Sequence, residues 1–195
     1  METYIEAGAH IGSKIKTGEA KKFIEKRRKD GIYIINIEKI DEGIQRLLKH
    51  LTKYDPKDIA IVATRYYAMV ALRNFKKLFP DIIAIEKRFV PGSFTNPESK
   101  YFVEPEIVLS CDPNSEQQAV REANKMKIPI VGLVDTDTKT DGLMDYAPIN
   151  NRGKRSLALF FWLLAREFYM KQGKIKSYSE FKIPISFFEK TEDEE

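Results

Sequence analysis

Three aspartates in this chain have the residue type and spacing for metal chemistry. Asp112 follows one strand-like apolar run, and Asp135 and Asp137 follow the next. Because the carboxyl ends of parallel strands meet at one edge of a sheet, three carboxylates placed there can hold Mg²⁺ for phosphoryl transfer. Against this, Asp and Thr are ordinary turn formers and no nucleophile lies beside them. A magnesium-dependent phosphoryl-transfer enzyme is therefore the second hypothesis and not the first.

The two histidines and the single cysteine do not form a site at the level of sequence. His10 and His50 lack the HxxxH spacing or cysteine partners that a zinc site needs, so we interpret His10 as a turn anchor and His50 as a helix surface or boundary residue. Cys111 ends an apolar run and is interpreted as a small buried residue. Neither GxGxxG nor GxxxxGK[ST] occurs, so the usual phosphate cradles are missing. We predict no metal and no cofactor.

Basic residues are better organised than acidic ones. The chain carries 33 Lys and Arg against 29 Asp and Glu, a net charge of +4. Its last seven residues hold five acids and one lysine, so the remaining body is distinctly basic. Two blocks hold most of the excess: residues 14–29 have eight basic and two acidic residues, and residues 152–176 have seven basic and one acidic. Such a body favours polyanionic partners.

Both basic blocks supply candidate contacts for RNA or a protein partner. From the first block these are Lys14, Lys16, Lys21, Lys22, Arg27 and Arg28, and around the second they are Asn150, Asn151, Arg152, Lys154 and Arg155. The second group lies where the last helix begins, and free backbone N–H groups there would add attraction for phosphate. The first block is equally typical of a solvated helix or mobile arm, and the second of a linker before a core helix.

The segment RFVPGSFTNP, residues 88–97, combines one fixed charge with a rigid turn. Pro91 restricts φ and Gly92 permits positive φ, so the two predict a tight turn that presents short neutral side chains. Arg88, Thr95 and Asn96 are candidate contacts on it. A purely structural turn between strands is the alternative interpretation.

Apolar periodicity predicts alternating strands and helices. Runs rich in Ile and Val predict five buried strands at Ile32–Ile37, Ile59–Ala63, Ile82–Ile85, Ile107–Cys111 and Ile130–Val134. Helical spacing predicts helices around residues 40–51, 67–78 and 156–170, and one that Asn114 or Ser115 caps and that ends near Lys127. This alternation predicts a parallel sheet covered on both faces, a doubly wound α/β sandwich.

The length of 195 residues fits one substantial core. We predict a basic N-terminal arm at 1–30 with some helical character, a single sandwich domain at 31–184 and an acidic, flexible tail at 185–195. No run of 18 apolar residues and no signal-like start occurs, so membrane insertion and export are not predicted and the protein is expected to be cytoplasmic.

Five strings in order carry a resemblance to a known family. They are AGAHIGSK at 7–14, RFVPGSFTNP at 88–97, EIVLSCDPNSEQQAVREANKMKIPIVGLVDTDT at 106–138, MDYAPINNRGKRS at 144–156 and FFWLLAREF at 160–168. Together they resemble the universal small-subunit ribosomal protein two family, and most of all its archaeal branch, whose eukaryotic relatives are called ribosomal protein SA or laminin-receptor precursor.

The resemblance implies a structural component of the 30S particle that binds ribosomal RNA and neighbouring small-subunit proteins, supports assembly and translation, and has no catalytic activity or small-molecule substrate. It implies a flavodoxin-like three-layer α/β/α sandwich with strand order 2-1-3-4-5. The motif positions it assigns to conformation are His10, Gly12, Pro91, Gly92 and Gly153. Tyr4, Tyr33, Tyr66, Tyr67 and Tyr101 are candidates for stacking on bases, with packing in the sandwich as the alternative for each.

Overall fold

The structure is a computed structural model that describes residues 2–191, and its strands divide into two sheets. Near the N-terminus, β1 (Ile24–Arg27) and β2 (Tyr33–Ile35) form a two-stranded antiparallel sheet. The other five strands form a parallel sheet and are β3 (Ile59–Ala63), β4 (Ile83–Glu86), β5 (Ile107–Ser110), β6 (Ile130–Val134) and β7 (Asp145–Pro148).

The parallel sheet has the predicted strand order. Its strands lie side by side as β4-β3-β5-β6-β7, and every neighbouring pair is parallel. Counted in chain order within this sheet, the sequence of strands is 2-1-3-4-5. The flavodoxin-like α/β sandwich is therefore confirmed.

One strand prediction was wrong in its pairing, and one strand of the parallel sheet was not predicted. The run Ile32–Ile37 does not enter the parallel sheet, because β2 pairs with β1 and Ile34 forms a bridge with Ile11. An isoleucine-rich run shows that a strand is buried but not which sheet it joins. The fifth strand of the sheet, β7, was missed because its sequence DYAP lacks β-branched residues and ends in proline, which an edge strand tolerates.

Residues 2–191 contain five α-helices, of which the second, third and fourth connect strands: α1 (Glu2–Glu6), α2 (Ile37–Leu51), α3 (Tyr66–Leu78), α4 (Gln117–Lys125) and α5 (Lys154–Lys171). Asn36 caps α2 by accepting a hydrogen bond from the Lys39 amide at 3.2 Å. The predicted cap of α4 was wrong, since neither Asn114 nor Ser115 caps it. The Asn114 side chain instead accepts from Lys139 N, and the Ser115 hydroxyl donates to Asp112.

The two faces of the parallel sheet are covered differently. On one face α2, α3 and α5 bury a large aromatic core that includes Phe75, Phe161 and Phe168. On the other face the buried cluster contains Val62 and Val108 from the sheet, residues of α4, and Phe89 and Phe94 from the loop after β4. The segment RFVPGSFTNP thus replaces part of a helical layer, and its phenylalanines are core residues.

The N-terminal residues contribute to the same core. Tyr4, Ala9, Ala20 and Phe23 are buried in the large cluster, and the Tyr4 hydroxyl donates to Asp41 at 2.7 Å. At the other end, a 3₁₀ helix (Ile185–Glu189) packs on α3 and α5 and buries Phe188. The division into arm, domain and tail stays a prediction, and residues 192–195 of the predicted acidic tail lie outside the described residues. No helix within residues 2–191 is long and apolar enough to cross a membrane.

Candidate nucleic-acid interface

Residues 10–35 form a basic extension that we call the N-terminal hairpin. Residues 10–13 lie along β2: Ile35 N donates to His10 O at 2.8 Å, Gly12 N to Tyr33 O at 2.9 Å and Tyr33 N to Ser13 O at 3.0 Å. A Cβ on Gly12 would lie 2.5 Å from Thr136 Cγ2 and 2.9 Å from Tyr33 O. The absence of a side chain at position 12 is therefore what lets this segment approach the sheet so closely.

The N-terminal hairpin is attached to the carboxyl edge of the parallel sheet. Thr136 follows β6. Its hydroxyl accepts a hydrogen bond from Ser13 N at 2.9 Å and donates one to Ile15 O at 2.9 Å. Thr17 N donates to Thr136 O at 2.8 Å, and Asn150 N, after β7, donates to Ala9 O at 2.9 Å. These bonds place the basic block at the edge where doubly wound sheets bind their ligands.

The predicted contact cations of the hairpin are all exposed: Lys14, Lys16, Lys21, Lys22, Arg27 and Arg28. Arg28 pairs with Asp30 at 3.0 Å, whereas Lys16 and Arg27 lie 5.0 and 5.4 Å from the centroid of the Tyr33 ring. Across residues 2–191, Lys14, Lys16, Lys21, Lys22 and Arg27 form no ion pair. Their positive charge is therefore not neutralised within the described part of the chain.

The asparagines before α5 have internal partners. Asn150 Oδ1 accepts the amides of Arg152 and Gly153, each at 3.0 Å, and Asn150 Nδ2 donates to Gly8 O at 3.2 Å. Asn151 is fully buried and donates its Nδ2 to Leu133 O at 3.0 Å. These side chains hold the loop after β7 in shape, so the structure gives them a conformational role.

The Arg152 side chain also has partners within the protein. Its guanidinium bonds Asp137 at 2.5 Å and lies 3.6 Å from Asp135. Burial raises the pKa of Asp135 to about 6, an effect that the hydrogen bond from Thr136 and the nearby charge of Arg152 only partly oppose. In the first turn of α5, Lys154 is half-buried and Arg155 is exposed, which leaves these two as the cations available for phosphate.

Two of the carboxylates proposed to hold Mg²⁺, those of Asp112 and Asp137, accept hydrogen bonds from arginine or hydroxyl groups of the protein. Asp112 is buried and accepts from Arg65 Nε and, at 2.7 Å, from the Ser115 hydroxyl. Asp137 pairs with Arg152 as described above. Within residues 2–191, no three His, Cys, Asp or Glu side chains are grouped as a metal site.

The histidines and cysteine are placed as follows. His50 is the penultimate residue of α2, and its Nε2 lies 3.2 Å from an Asp145 oxygen. His10 lies where residues 10–13 join β2 and contributes its carbonyl oxygen to that pairing. Cys111 is fully buried, as predicted, and burial raises the pKa of its thiol.

The tyrosines divide by exposure. Tyr4 is buried, and Tyr33 is partly buried with Lys16 and Arg27 over its ring. Tyr66, Tyr67 and Tyr101 are 58%, 42% and 48% exposed. These three remain candidates for stacking.

The model of the ribosomal protein S2 family matches residues 4–101 and 98–169 of this chain. The chain belongs to the ribosomal protein S2 family. It is 40% identical over 188 residues to small ribosomal subunit protein uS2 of Thermoplasma volcanium, covering 96% of this chain and 94% of that protein. Identity is 41% over 189 residues with the uS2 protein of Staphylothermus marinus, covering 97% and 86%, and 39% over 189 residues with that of Saccharolobus solfataricus, covering 97% and 81%.

Membership in the S2 family decides between the two hypotheses from sequence. The resemblance to this family and to its archaeal members is confirmed. The chain is a structural ribosomal protein and not an enzyme. The magnesium-enzyme alternative was wrong. In sequence, aspartates that pair with arginine in a turn-rich loop show the same pattern as aspartates that bind a metal, so the pattern alone could not exclude a metal site.

Two glutamates of this S2-family protein were missed by sequence reasoning. Glu122 on α4 accepts Gly92 N at 2.7 Å, Phe94 N at 3.1 Å and the Thr95 hydroxyl at 3.2 Å. Burial acts to raise the pKa of Glu122, but these bonds and one from Gln118 lower it below its usual value. Gly92 has φ +92, the conformation predicted for it. Pro91 and Asn96 stay exposed on the turn, as does Arg88 at its start.

Glu116 holds the centre of the carboxyl edge in the same way. It is 1% exposed and accepts the Ser110 hydroxyl at 2.5 Å, Thr64 N at 3.0 Å, the Thr64 hydroxyl at 3.2 Å and Asp112 N at 3.2 Å. Burial raises the pKa of Glu116 to about 7 despite these bonds. A glutamate just before a helix looks like an exposed residue in sequence, so no local signal distinguishes it.

Proposed function

We propose that this protein is a structural component of the small ribosomal subunit that binds ribosomal RNA through its N-terminal hairpin. It also contacts neighbouring small-subunit proteins, and it supports assembly of the subunit and translation. Family membership supports the ribosomal context, since the relatives carry the name small ribosomal subunit protein. The choice of the hairpin as the RNA-binding surface depends on the geometry of this chain.

The observation that carries the proposal is a set of exposed cations that form no ion pair among residues 2–191. Lys14, Lys16, Lys21 and Lys22 project from a segment that Thr136 and Asn150 anchor to the sheet. Cations without carboxylate partners can neutralise RNA phosphates at no cost in lost ion pairs, and each contact releases counterions. Because the segment is anchored, the cations are presented with a fixed spacing.

The fixed loops of the carboxyl edge complement this electrostatic attraction. Phosphate contacts supply affinity, while recognition of folded RNA depends on shape and on contacts with sugars and unpaired bases. The exposed Pro91 and Asn96 belong to a turn that Glu122 holds rigid. A rigid neutral surface with the exposed Arg88 at its start fits this division of roles.

The proposal is tested by the salt dependence of binding to a small-subunit ribosomal RNA transcript. The variant Lys14→Ala/Lys16→Ala/Lys21→Ala/Lys22→Ala removes four hairpin cations. We expect the slope of log affinity against log salt to flatten by about 2.8 on single-stranded RNA contacts and about 3.6 on duplex contacts.

The matched control is Lys49→Ala/Lys53→Ala/Lys57→Ala/Lys125→Ala, which removes the same charge from exposed positions at the opposite end of the sheet. We expect its slope to change by less than about 1. Equal slopes for the two variants would mean that net charge, and not the hairpin, governs binding, and would refute the proposed surface.

A further inference from the structure

A second cationic feature lies at the carboxyl edge, at the opposite side of the sheet from the hairpin. The chain leaves β3 toward β4 on one side and later returns to β5 on the other. The loops after β3 and β5 therefore diverge, and in doubly wound sheets this point is the usual ligand crevice. A cavity of about 520 Å³ opens there, with polar lining from Thr64, Arg65, Lys87, Arg88, Ser115, Glu116 and Gln118.

We propose that this cavity, which we call the switch-point cavity, receives the phosphate of an unpaired RNA nucleotide. The inference rests on the proposed function, because it takes RNA as the partner. It adds a second, separate contact at a place that the hairpin does not reach.

Three cations from two loops surround the cavity. Lys87 and Arg88 are exposed and form no ion pair among residues 2–191. Arg65 is fixed by its Nε bond to buried Asp112, which orients the guanidinium and leaves its terminal nitrogens for a ligand. Guanidinium groups bind phosphate through such paired donors.

The backbone around the cavity favours the same ligand. Lys87 has φ +63, an uncommon conformation for a residue with a side chain, and it places two cations in succession at the rim. Both α3 and α4 begin at the cavity, at Tyr66 and Gln117, and neither has a side-chain cap. Their first amides add positive potential to that of the side chains.

The acidic groups near the cavity are already paired. Glu116 lies on its floor, but both of its oxygens accept hydrogen bonds from Thr64, Ser110 and Asp112. Glu86, at the end of β4, pairs with Arg73 at 2.7 Å. The groups left with open bonding capacity at the cavity are therefore cationic or neutral.

Two tyrosines suggest that the phosphate belongs to an unpaired nucleotide. Tyr66 and Tyr67 directly follow Arg65, their rings lie 5.5 Å apart, and both are substantially exposed. Exposed aromatic rings beside a cationic groove are the usual platform for unstacked bases. A duplex would offer phosphates but no base for these rings.

The inference is tested with the variant Lys87→Gly/Arg88→Ala on the full chain. Glycine at position 87 removes the charge and accepts positive φ, so this substitution does not strain the fold. The matched control, Lys53→Ala/Lys57→Ala, makes the same change in charge at the amino ends of the strands. A third variant, Glu116→Gln, removes the one carboxylate on the cavity floor.

The probes are single-stranded oligouridylate, uridine 5′-monophosphate and uridine, followed by amide chemical shifts in NMR. We expect oligouridylate to shift the amides of Thr64, Ser115 and Gln118, and uridine to leave them unchanged. Shifts with the monophosphate as well would show that a terminal phosphate suffices, whereas shifts with oligouridylate alone would assign the site to an internal phosphodiester. Glu116→Gln should bind oligouridylate at least as tightly as the parent.

For the Lys87→Gly/Arg88→Ala variant, we expect the salt slope of oligouridylate binding to flatten by about 1.4 and the control to keep its slope. The inference is overturned if the three amides do not respond to oligouridylate, if uridine shifts them equally, or if both double variants bind alike. Should the hairpin variant lose RNA while this variant does not, the switch-point cavity alone is refuted. Should neither variant change RNA binding, the proposed function itself fails.

Discussion

The N-terminal hairpin and the two motif-bearing loops of this protein use their polar groups in opposite ways. In the hairpin, Lys14, Lys16, Lys21 and Lys22 are exposed and form no ion pair among the described residues. In the loops at residues 91–96 and 150–153, most polar groups are bonded internally, to Glu122 in the first loop and through Asn150 in the second.

The residues by which the family is recognised in sequence are therefore largely different from the residues that are available to contact RNA. The strings that identify the family hold glycines and amides whose bonds fix backbone shape. The charges available for RNA lie largely in the hairpin segment 14–29, of which only Lys14 belongs to a family string. A motif residue is therefore a poor guide to contact when its polar atoms already have partners.

The largest expected effect is on the stability of the first loop. Glu122→Ala leaves two amides and one hydroxyl without their acceptor, and hydrogen bonds to a charged group contribute about 1.5 kcal/mol each, so we expect a loss of about 4.5 kcal/mol in the free energy of unfolding. Urea denaturation measures it. Exposed Glu98→Ala is the control, with a change within about 0.5 kcal/mol. Similar losses for both would mean that the carboxylate does not organise the loop.

The second prediction concerns pH and the buried edge. The pKa of Glu116 in the folded chain, about 7, is above its ordinary value of 4.5, so the folded state holds this proton more tightly than the unfolded state. The contribution of Glu116 to stability is thus fully present below pH 4.5 and is lost as pH rises to about 7, by on the order of 3 kcal/mol.

Unfolding free energies at several pH values, for the parent and for Glu116→Gln, isolate this group. We expect the difference between the two proteins to change in favour of the variant as pH rises from 4.5 to 7. Asp135, whose pKa is raised in the same direction, is present in both proteins and cancels. Parallel curves would show that Glu116 titrates normally.

A third prediction links the hairpin to the sheet. In Gly12→Ala the new methyl group would lie 2.5 Å from Thr136 Cγ2, so the hairpin must shift, and we expect a loss of about 2 kcal/mol in stability. Gly18→Ala is matched to it, because a methyl group added at Gly18 would meet nothing within 4 Å, and we expect a change within about 0.5 kcal/mol. If both alanines were equally tolerated, the hairpin would not be held by this contact.

The smallest effect is expected at the start of α5. Lys154→Ala/Arg155→Ala should flatten the salt slope of RNA binding by about 1.4 on single-stranded contacts, half of the effect of the four hairpin lysines. Filter binding over a range of salt measures it. A flattening as large as that of the hairpin variant would remove the contrast between the two regions, and an unchanged slope would exclude this helix end from the interface.

The sequence predicted the fold class well because Ile- and Val-rich runs separated by helical stripes leave few other arrangements. It did not place β2 or β7 correctly. Ile32–Ile37 has the composition of a central strand but pairs in the hairpin, and DYAP pairs in the sheet because of its position at the edge. Strand composition reports burial, whereas pairing depends on the tertiary structure.

The contact candidates chosen from sequence differ in how the structure places their polar groups. The hairpin lysines were expected to be contacts; the structure shows them exposed, and their role as contacts stays a prediction. Arg152 and Asn151 were expected to be contacts. In the structure Arg152 pairs with Asp137, and Asn151 is fully buried. Those partners are far apart in the chain or across a turn, so local patterns cannot reveal which polar atoms are already satisfied.

The most direct measurement is the reactivity of lysines toward acetylation, read by mass spectrometry in the free protein and in purified small subunits. We expect Lys14, Lys16, Lys21 and Lys22 to react in the free protein, where they are exposed, and to be strongly protected in the particle. Lys53 and Lys57, at the opposite end of the sheet, should lose much less reactivity. Equal reactivity of the hairpin lysines in both states would contradict the placement of RNA against the hairpin.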